Sequence, residues 1–474
     1  MDSVSLLALA VIAAVPVLFT AARIFLYPTT GLCLWVLLLP VTKTFAEFAG
    51  YPPGEAVCAG NCNVLQKLTL GDPVLLVTLA GLLNERRSAG PAYDRQGRRI
   101  VWLLAAFCVA SVASATLGET GPESLIELAT YSWLCLALVV ICQLISSPDR
   151  VRRVLTAWRR AGVIGCVAGG VGTLLLWRGS MDNLLVQGGR VAGLFEGINQ
   201  LQSFVIAVIP FFCARLFSRA ASRGTRILYG ALVVVGFVGV VGSGSRAGVV
   251  FAALSVWLML LLTSPRLAAV WTCAAVLFAG SAWHVLGKHL DELPYGIRRS
   301  FSYVQEDTLE LDELSIGRAD QLRTFYTVFA EHPLVGVGPG GFAAWVPRVV
   351  PGGKAQEMHN SYLGVLGETG AIGGLIMLAL LADAMARTLR FLWWASRVRD
   401  ADALMAARAL FVSYASILMY GMLNYGLRQR HFWFVVALTV AVPHVYGQWR
   451  ARARVPARRT RPLYGVVPCV ESQV

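Results

Sequence analysis

Apolar runs of roughly 17 to 23 residues recur along nearly the whole chain, each long enough to cross about 30 Å of hydrocarbon as a helix. Inside lipid every main-chain N–H and C=O must be satisfied within the protein, which such runs achieve as helices. Composition points the same way: 56% of the 474 residues are hydrophobic and only 14% are charged, against about 25% charged in soluble domains. The expectation is an all-α polytopic membrane protein, one bundle of about 12–13 transmembrane helices with one long loop. Span centres fall near Ile12, Trp35, Val77, Ala106, Leu136, Gly169, Ala207, Val235, Val256, Val276, Met377, Ser416 and Ala437. The first run, 4–20, has no basic leader and no clear small-residue cleavage pattern, so it reads as a kept helix.

The net charge of +14 would suggest nucleic acid as a partner in a soluble protein. Here the arginines gather in alternate short connections: 86–99, 150–160, 219–226, 387–399 and the tail from Arg450. Intervening connections such as GETGPES (118–124) are poor in them. Under the positive-inside rule the rich connections are cytoplasmic, and basicity records orientation. No nucleic-acid partner is expected. The chain divides into N-terminal helices (1–177), central helices (178–287), a long noncytoplasmic loop (288–358), C-terminal helices (359–449) and a basic cytoplasmic tail (450–474).

Most of the 10 cysteines lie in apolar runs as small hydrophobes. Cys58 and Cys62, in CAGNC, sit in a connection placed outside, where an oxidising compartment would let them close a small disulfide loop. No histidine stands nearby to complete a zinc site, so neither a metal nor a cofactor is expected.

The segment 317–374 stands apart as a polar, glycine-rich island between apolar runs. Charge and irregular backbone are costly near lipid and need a reason to be there. It carries Arg318 in SIGRAD, then HPLVGVGPGGF (332–342), then HNSYLGVLGETGAIGG (359–374). The spacing of Leu322, Phe325, Tyr326 and Phe329 predicts a helix over 319–331 with these four on the face that packs on the bundle. His332-Pro333 ends it.

Arg246 in GSGSRAG (242–248), Arg318 and His359 all fall on the noncytoplasmic side. Arginine is a permanently charged planar fork suited to phosphate oxygens. Two of them could hold a pyrophosphate as its charge grows during bond cleavage. His359 could take a proton from an attacking hydroxyl near neutral pH. Arg190 and Arg178 flank a loop that could contact sugar or pyrophosphate, and Asn199 lies in the RVAGLFEGINQ stretch (190–200) that follows. Glu368 could orient the histidine or pair with an arginine. Asn360 could cap the following helix or touch substrate, and His332 is either a turn residue or a substrate contact.

The plain alternatives are an interfacial arginine at 246, an ion-paired loop arginine at 318 and a capping or core histidine at 359. Gly336, Gly338 and Gly341 match G-x-G-x-x-G, but without a preceding strand they read as turns. Asp400 and Asp402 form a D-x-D on the cytoplasmic side among arginines, where ion pairing fits better than metal. The acidic stretch 306–314 reads as solvated surface.

In order and spacing, RVAGLFEGINQ (190–200), SRAG, GR before a helix, EHPLVGVGPGGF and HNSYLGVLGETGAIGG resemble the O-antigen ligase and polymerase superfamily of bacterial surface-polysaccharide assembly. The resemblance spans about 190–380. It implies a GT-C-like, multi-pass glycosyltransferase of the inner membrane, inverting and metal-independent, with its active site facing the periplasm. The implied donor is a glycan on undecaprenyl pyrophosphate. The implied acceptor is lipid A core oligosaccharide or another lipid-linked repeat unit. Arg246 and Arg318 fall on the pyrophosphate-binding positions and His359 on the catalytic one. The rival class is a transporter or flippase for the same lipid-linked oligosaccharide, which needs ionisable groups along a path through the membrane. Asp72, Glu127 and Asp383 are the residues that would favour it. A noncatalytic scaffold is a third reading.

Overall fold

The computed structural model describes residues 16–43, 69–86, 95–119, 123–286, 292–301, 311–351, 355, 357–398 and 400–454. Sixteen helices and one two-stranded hairpin order along it as α1 (Pro16–Leu26), α2 (Pro28–Leu38), α3 (Gly71–Arg86), α4 (Arg95–Leu117), α5 (Glu123–Leu144), α6 (Pro148–Trp177), β1 (Val186–Gln187), β2 (Arg190–Val191), α7 (Ile198–Leu216), α8 (Arg223–Gly242), α9 (Arg246–Thr263), α10 (Pro265–Leu286), α11 (Tyr295–Phe301), α12 (Leu311–Glu331), α13 (Phe342–Val349), α14 (Ser361–Val398), α15 (Ala401–Tyr420) and α16 (Arg430–Arg454). The protein is an all-α polytopic membrane protein.

Each expected span centre from Trp35 to Ala437 lies inside a helix. Ile12, Cys58 and Cys62 lie outside the described residues. By length and hydropathy eight described helices can cross a membrane, or nine if α1 and α2, bent by 120°, form one broken span. That is fewer than the 12–13 anticipated. Part of the reason is length: α3 has 16 residues, only about 24 Å of helix.

Successive spans reverse direction, so their ends sort into two faces. Arg150, Arg152, Arg223, Arg226 and Arg397 mark one face, where Arg150 pairs with Glu85 at 3.2 Å. The other face collects the ends of α4, α6, α8 and α15 and the starts of α5, α7, α9, α14 and α16. Hydrogen bonds stitch it together: Thr42 to Gln200 at 2.7 Å, Ser124 to the Pro339 carbonyl at 3.0 Å, and Ser361 N–H to the Gly421 carbonyl at 2.8 Å. Between the faces, large rings fill the core. Trp158 on α6 packs at 5.1 Å from Phe204 on α7 and 4.9 Å from Phe434 on α16, tilted contacts that suit aromatic quadrupoles.

The glycine-rich island has a structural purpose at α14. Gly370 interrupts this helix with φ +64°, and the 333–338 segment lies against the opened turn. Val337 N–H bonds to the Gly367 carbonyl (3.1 Å), Gly338 N–H to Glu368 (2.9 Å), and Ala371 N–H to Pro333 (2.8 Å). Irregular backbone near lipid survives where protein satisfies it, and here loop and broken helix satisfy each other. A Cβ at position 370 would stand 2.2 Å from the Leu334 carbonyl, so only glycine fits. The G-x-G-x-x-G match is thus a set of turns, with Gly336 and Gly338 at φ +69° and +102°.

The helix anticipated over 319–331 extends from Leu311 to Glu331 as α12, but its buried face is rotated from the expected one. Gln321, Thr324, Phe325 and Val328 are buried, whereas Leu322 and Tyr326 are 40% and 69% exposed. The correction follows from the neighbours. Phe325 packs in a small cluster with Phe342, Val346 and Met358, and Gln321 turns inward because main-chain groups await it there.

Candidate active site

Three arginines converge where α8 hands over to α9. Gly244 holds the turn at φ +69°, and Ser245 caps α9 by accepting the Gly248 N–H at 3.1 Å. The short helix α11 presses on this turn: Gly296 N–H bonds to the Gly189 carbonyl at 3.1 Å, and Ser300 to the Val241 carbonyl at 2.8 Å. A Cβ on Gly296 would stand 2.5 Å from the Gly242 carbonyl, so the approach requires glycine. It brings Arg299 beside Arg246, whose Nε donates to the Arg299 carbonyl at 3.3 Å. Arg190, from β2, donates Nε to the Ser243 carbonyl at 2.8 Å. Burial, and next the positive charge of Arg299, pull the Arg190 guanidinium down to about 10. The charges of Arg190 and Arg299 therefore lie close enough to repel each other. Arg299 was not singled out from sequence. Its signal was there: YGIRRSF (295–301) puts two arginines on the side where the positive-inside rule expects few.

His359 and Arg318 form the second half. His359 lies just before α14, where the Asn360 side chain caps the helix by accepting the Tyr362 and Leu363 N–H groups at 3.0 and 3.1 Å. The His359 imidazole is exposed, and its pKa is lowered by partial desolvation, then by Arg318, with Glu357 opposing. Arg318 on α12 and His359 are therefore electrostatic neighbours. The two halves meet through the end of α15. Tyr420 donates to Gln202, whose amide donates to Ser243 at 2.9 Å, while the next residue, Gly421, accepts the Ser361 N–H.

The residues flanking His359 belong to a partly buried charge cage that sequence reasoning missed. Arg428 holds Glu127 at 3.1 Å and Glu368 at 3.0 Å and also bonds Glu357. Tyr425 donates to Glu368 at 3.0 Å, and the Arg428 guanidinium lies 4.7 Å over the Tyr425 ring. Glu368 thus pairs with an arginine. The arginines of GLRQR (426–430), again on the arginine-poor side, were the available clue. Its second, Arg430, pairs with Asp72 at 2.8 Å.

The remaining candidates stand apart. Arg178 is an exposed residue capping the C-terminus of α6, where the helix runs out of partners. Asn199 is exposed on the first turn of α7. His332 lies just past the end of α12 and Arg318 near its middle, about 20 Å apart along the axis at 1.5 Å per residue. His332 neighbours Glu119 at 3.6 Å and the Trp345 ring at 5.5 Å. The carboxylates that a transport path would use are paired. Asp72 lies in the first turn of α3 and Glu127 in the second turn of α5, and Asp383 binds Arg387 at 2.7 Å. Among the described residues no group of three or more His, Cys, Asp or Glu could hold a metal ion.

Residues 231–378 match the family model described as O-antigen ligase. The matched stretch runs from α8 into α14 and contains Arg246, Arg299, Arg318, Gln321, His359 and Glu368. Arg190 and Arg428 lie outside it. No curated protein matches the chain.

Proposed function

We propose that this membrane protein, a member of the O-antigen ligase and polymerase superfamily through its matched domain, transfers a glycan from undecaprenyl pyrophosphate to an acceptor sugar hydroxyl at the periplasmic face of the inner membrane. The observation that carries the proposal is the convergence of Arg190, Arg246 and Arg299 on the same face as the Arg318–His359 pair. The donor enters sideways from the outer leaflet, its diphosphate held by Arg246 and Arg318 with Arg190 and Arg299 adjoining. The acceptor is lipid A core or a second lipid-linked repeat unit.

In the reaction the acceptor oxygen attacks the anomeric carbon from the side opposite the diphosphate. A new C–O bond forms, the bond to the diphosphate oxygen breaks, and undecaprenyl diphosphate leaves with both bonding electrons. The acceptor proton passes to a ring nitrogen of His359, and configuration inverts. Guanidinium charge stabilises the leaving group, so no metal and no separate general acid is needed. Lowering of the His359 pKa keeps the ring neutral at pH 7 and able to accept that proton. Activity is therefore full above the lowered pKa and falls as pH drops through it, so the acidic limb lies below the ordinary histidine range.

The test is a transfer assay with purified protein, lipid-linked oligosaccharide, candidate acceptors and a chelator. His359→Ala and Arg318→Ala are each expected to lose product formation by about a hundredfold or more while remaining folded. Full activity in both variants removes the site assignment. Vesicle translocation of the lipid-linked sugar without a new glycosidic bond favours a transporter instead.

A further inference from the structure

One buried polar side chain has no part in the chemistry above yet touches its centre. Gln321 is 1% exposed and lies one turn beyond Arg318 on α12, so the two share a face. Its amide spans the main chain on both sides of Met358. Nε2 donates to the Glu357 carbonyl at 3.2 Å, and Oε1 accepts the His359 N–H at 2.9 Å. A glutamine used this way fixes a tripeptide, because one planar group satisfies a donor and an acceptor two residues apart. The rest of the segment is pinned as well: Arg428 holds the Glu357 carboxylate, and Ser361 is tied to Gly421. Gln321 alone among these bonds ties His359 to the helix that carries Arg318.

We infer that Gln321 is a positioning residue that sets the spacing between Arg318 and His359 by clamping the 357–359 main chain to α12. The inference rests on the reading of His359 as the base. Without the clamp Met358 still packs against Phe325 of α12, but the main chain at His359 is no longer held to the helix, and the imidazole shifts relative to Arg318. The charged groups facing His359 are Arg318 from α12 and Glu357 from its own segment, the latter bound to Arg428 from the turn before α16. Losing the arginine while keeping the carboxylate moves the histidine pKa upward. A merely structural glutamine leaves that pKa in place.

The experiment uses the full chain in detergent and diethyl pyrocarbonate as the probe, which acylates imidazole only in its neutral form. The extent of His359 modification is followed against pH by peptide mass spectrometry. Gln321→Met, similar in volume but without an amide, is expected to shift the modification profile upward and to lower transfer about tenfold or more, as a misplaced reacting group does. Gln321→Asn, one methylene short but still polar, should show the same changes to a smaller degree and serves if the methionine variant folds poorly. Wild-type profiles with transfer within about twofold of wild type in these variants overturn the inference. His359→Ala separates the two claims: an active His359→Ala overturns the base assignment, whereas an inactive one beside unperturbed Gln321 variants overturns the clamp alone.

Discussion

Two arginine-centred regions share one face of the bundle and are built on opposite terms. Around Arg428 one cation is enclosed by three carboxylates, Glu127, Glu357 and Glu368. At the α8–α9 turn Arg190, Arg246 and Arg299 stand next to one another, and the guanidiniums of Arg190 and Arg246 donate to main-chain carbonyls. The first arrangement completes itself. The second sets arginines side by side, and the proposed function places the diphosphate there. Position at a membrane edge therefore does not by itself tell a structural arginine from a binding one; the company it keeps does.

The largest effect that sharpens this contrast is expected from Arg428→Met. Removing one partner of a buried ionic cluster typically costs about 3–5 kcal/mol, and here three carboxylates would be left facing one another. The variant should unfold much more readily in detergent, while Arg246→Met should change stability by less than about 1 kcal/mol. Equal stability losses in the two variants would break the comparison. Gly244→Val comes next. A side chain there meets a φ of +69° and lies 3.0 Å from the Gly296 carbonyl and 3.1 Å from Arg190 Nε, a strain of about 1–3 kcal/mol. It should also displace Arg190, so donor binding measured in the same preparation should fall; unchanged binding would remove Arg190 from the cluster. His332→Ala is the smallest, a change in transfer of less than about threefold, because its partner Glu119 is half exposed and such pairs contribute little.

Much of the fold was legible because lipid imposes strict rules: apolar length locates spans, and arginine placement sorts their ends. The polar island was legible for the complementary reason, since glycine, arginine and histidine at a membrane edge carry a cost that needs explaining. Arg246, Arg318 and His359 could be picked out from local motifs. Arg299, Arg428 and Gln321 could not, because their meaning lies in contacts across distant parts of the chain. Gln321 shows the difficulty most clearly. Hydrophobic spacing assigned the buried face of α12 to Leu322 and Tyr326, and the structure instead turns a glutamine inward to meet a main chain 36 residues away. Arg299 and Arg428 did carry one sequence signal, arginine on the arginine-poor side, which marks residues with a partner or a ligand.

The most direct measurement is binding of undecaprenyl diphosphate to the purified protein in detergent, with Arg246→Ala and Arg348→Ala alongside. Arg348 pairs with Glu119 at 3.1 Å and belongs to the His332 end of α12. Saturable binding that weakens about tenfold or more in Arg246→Ala and is unchanged in Arg348→Ala is the expected result. Equal binding by wild type and Arg246→Ala would contradict the assignment of the arginine cluster as the diphosphate site.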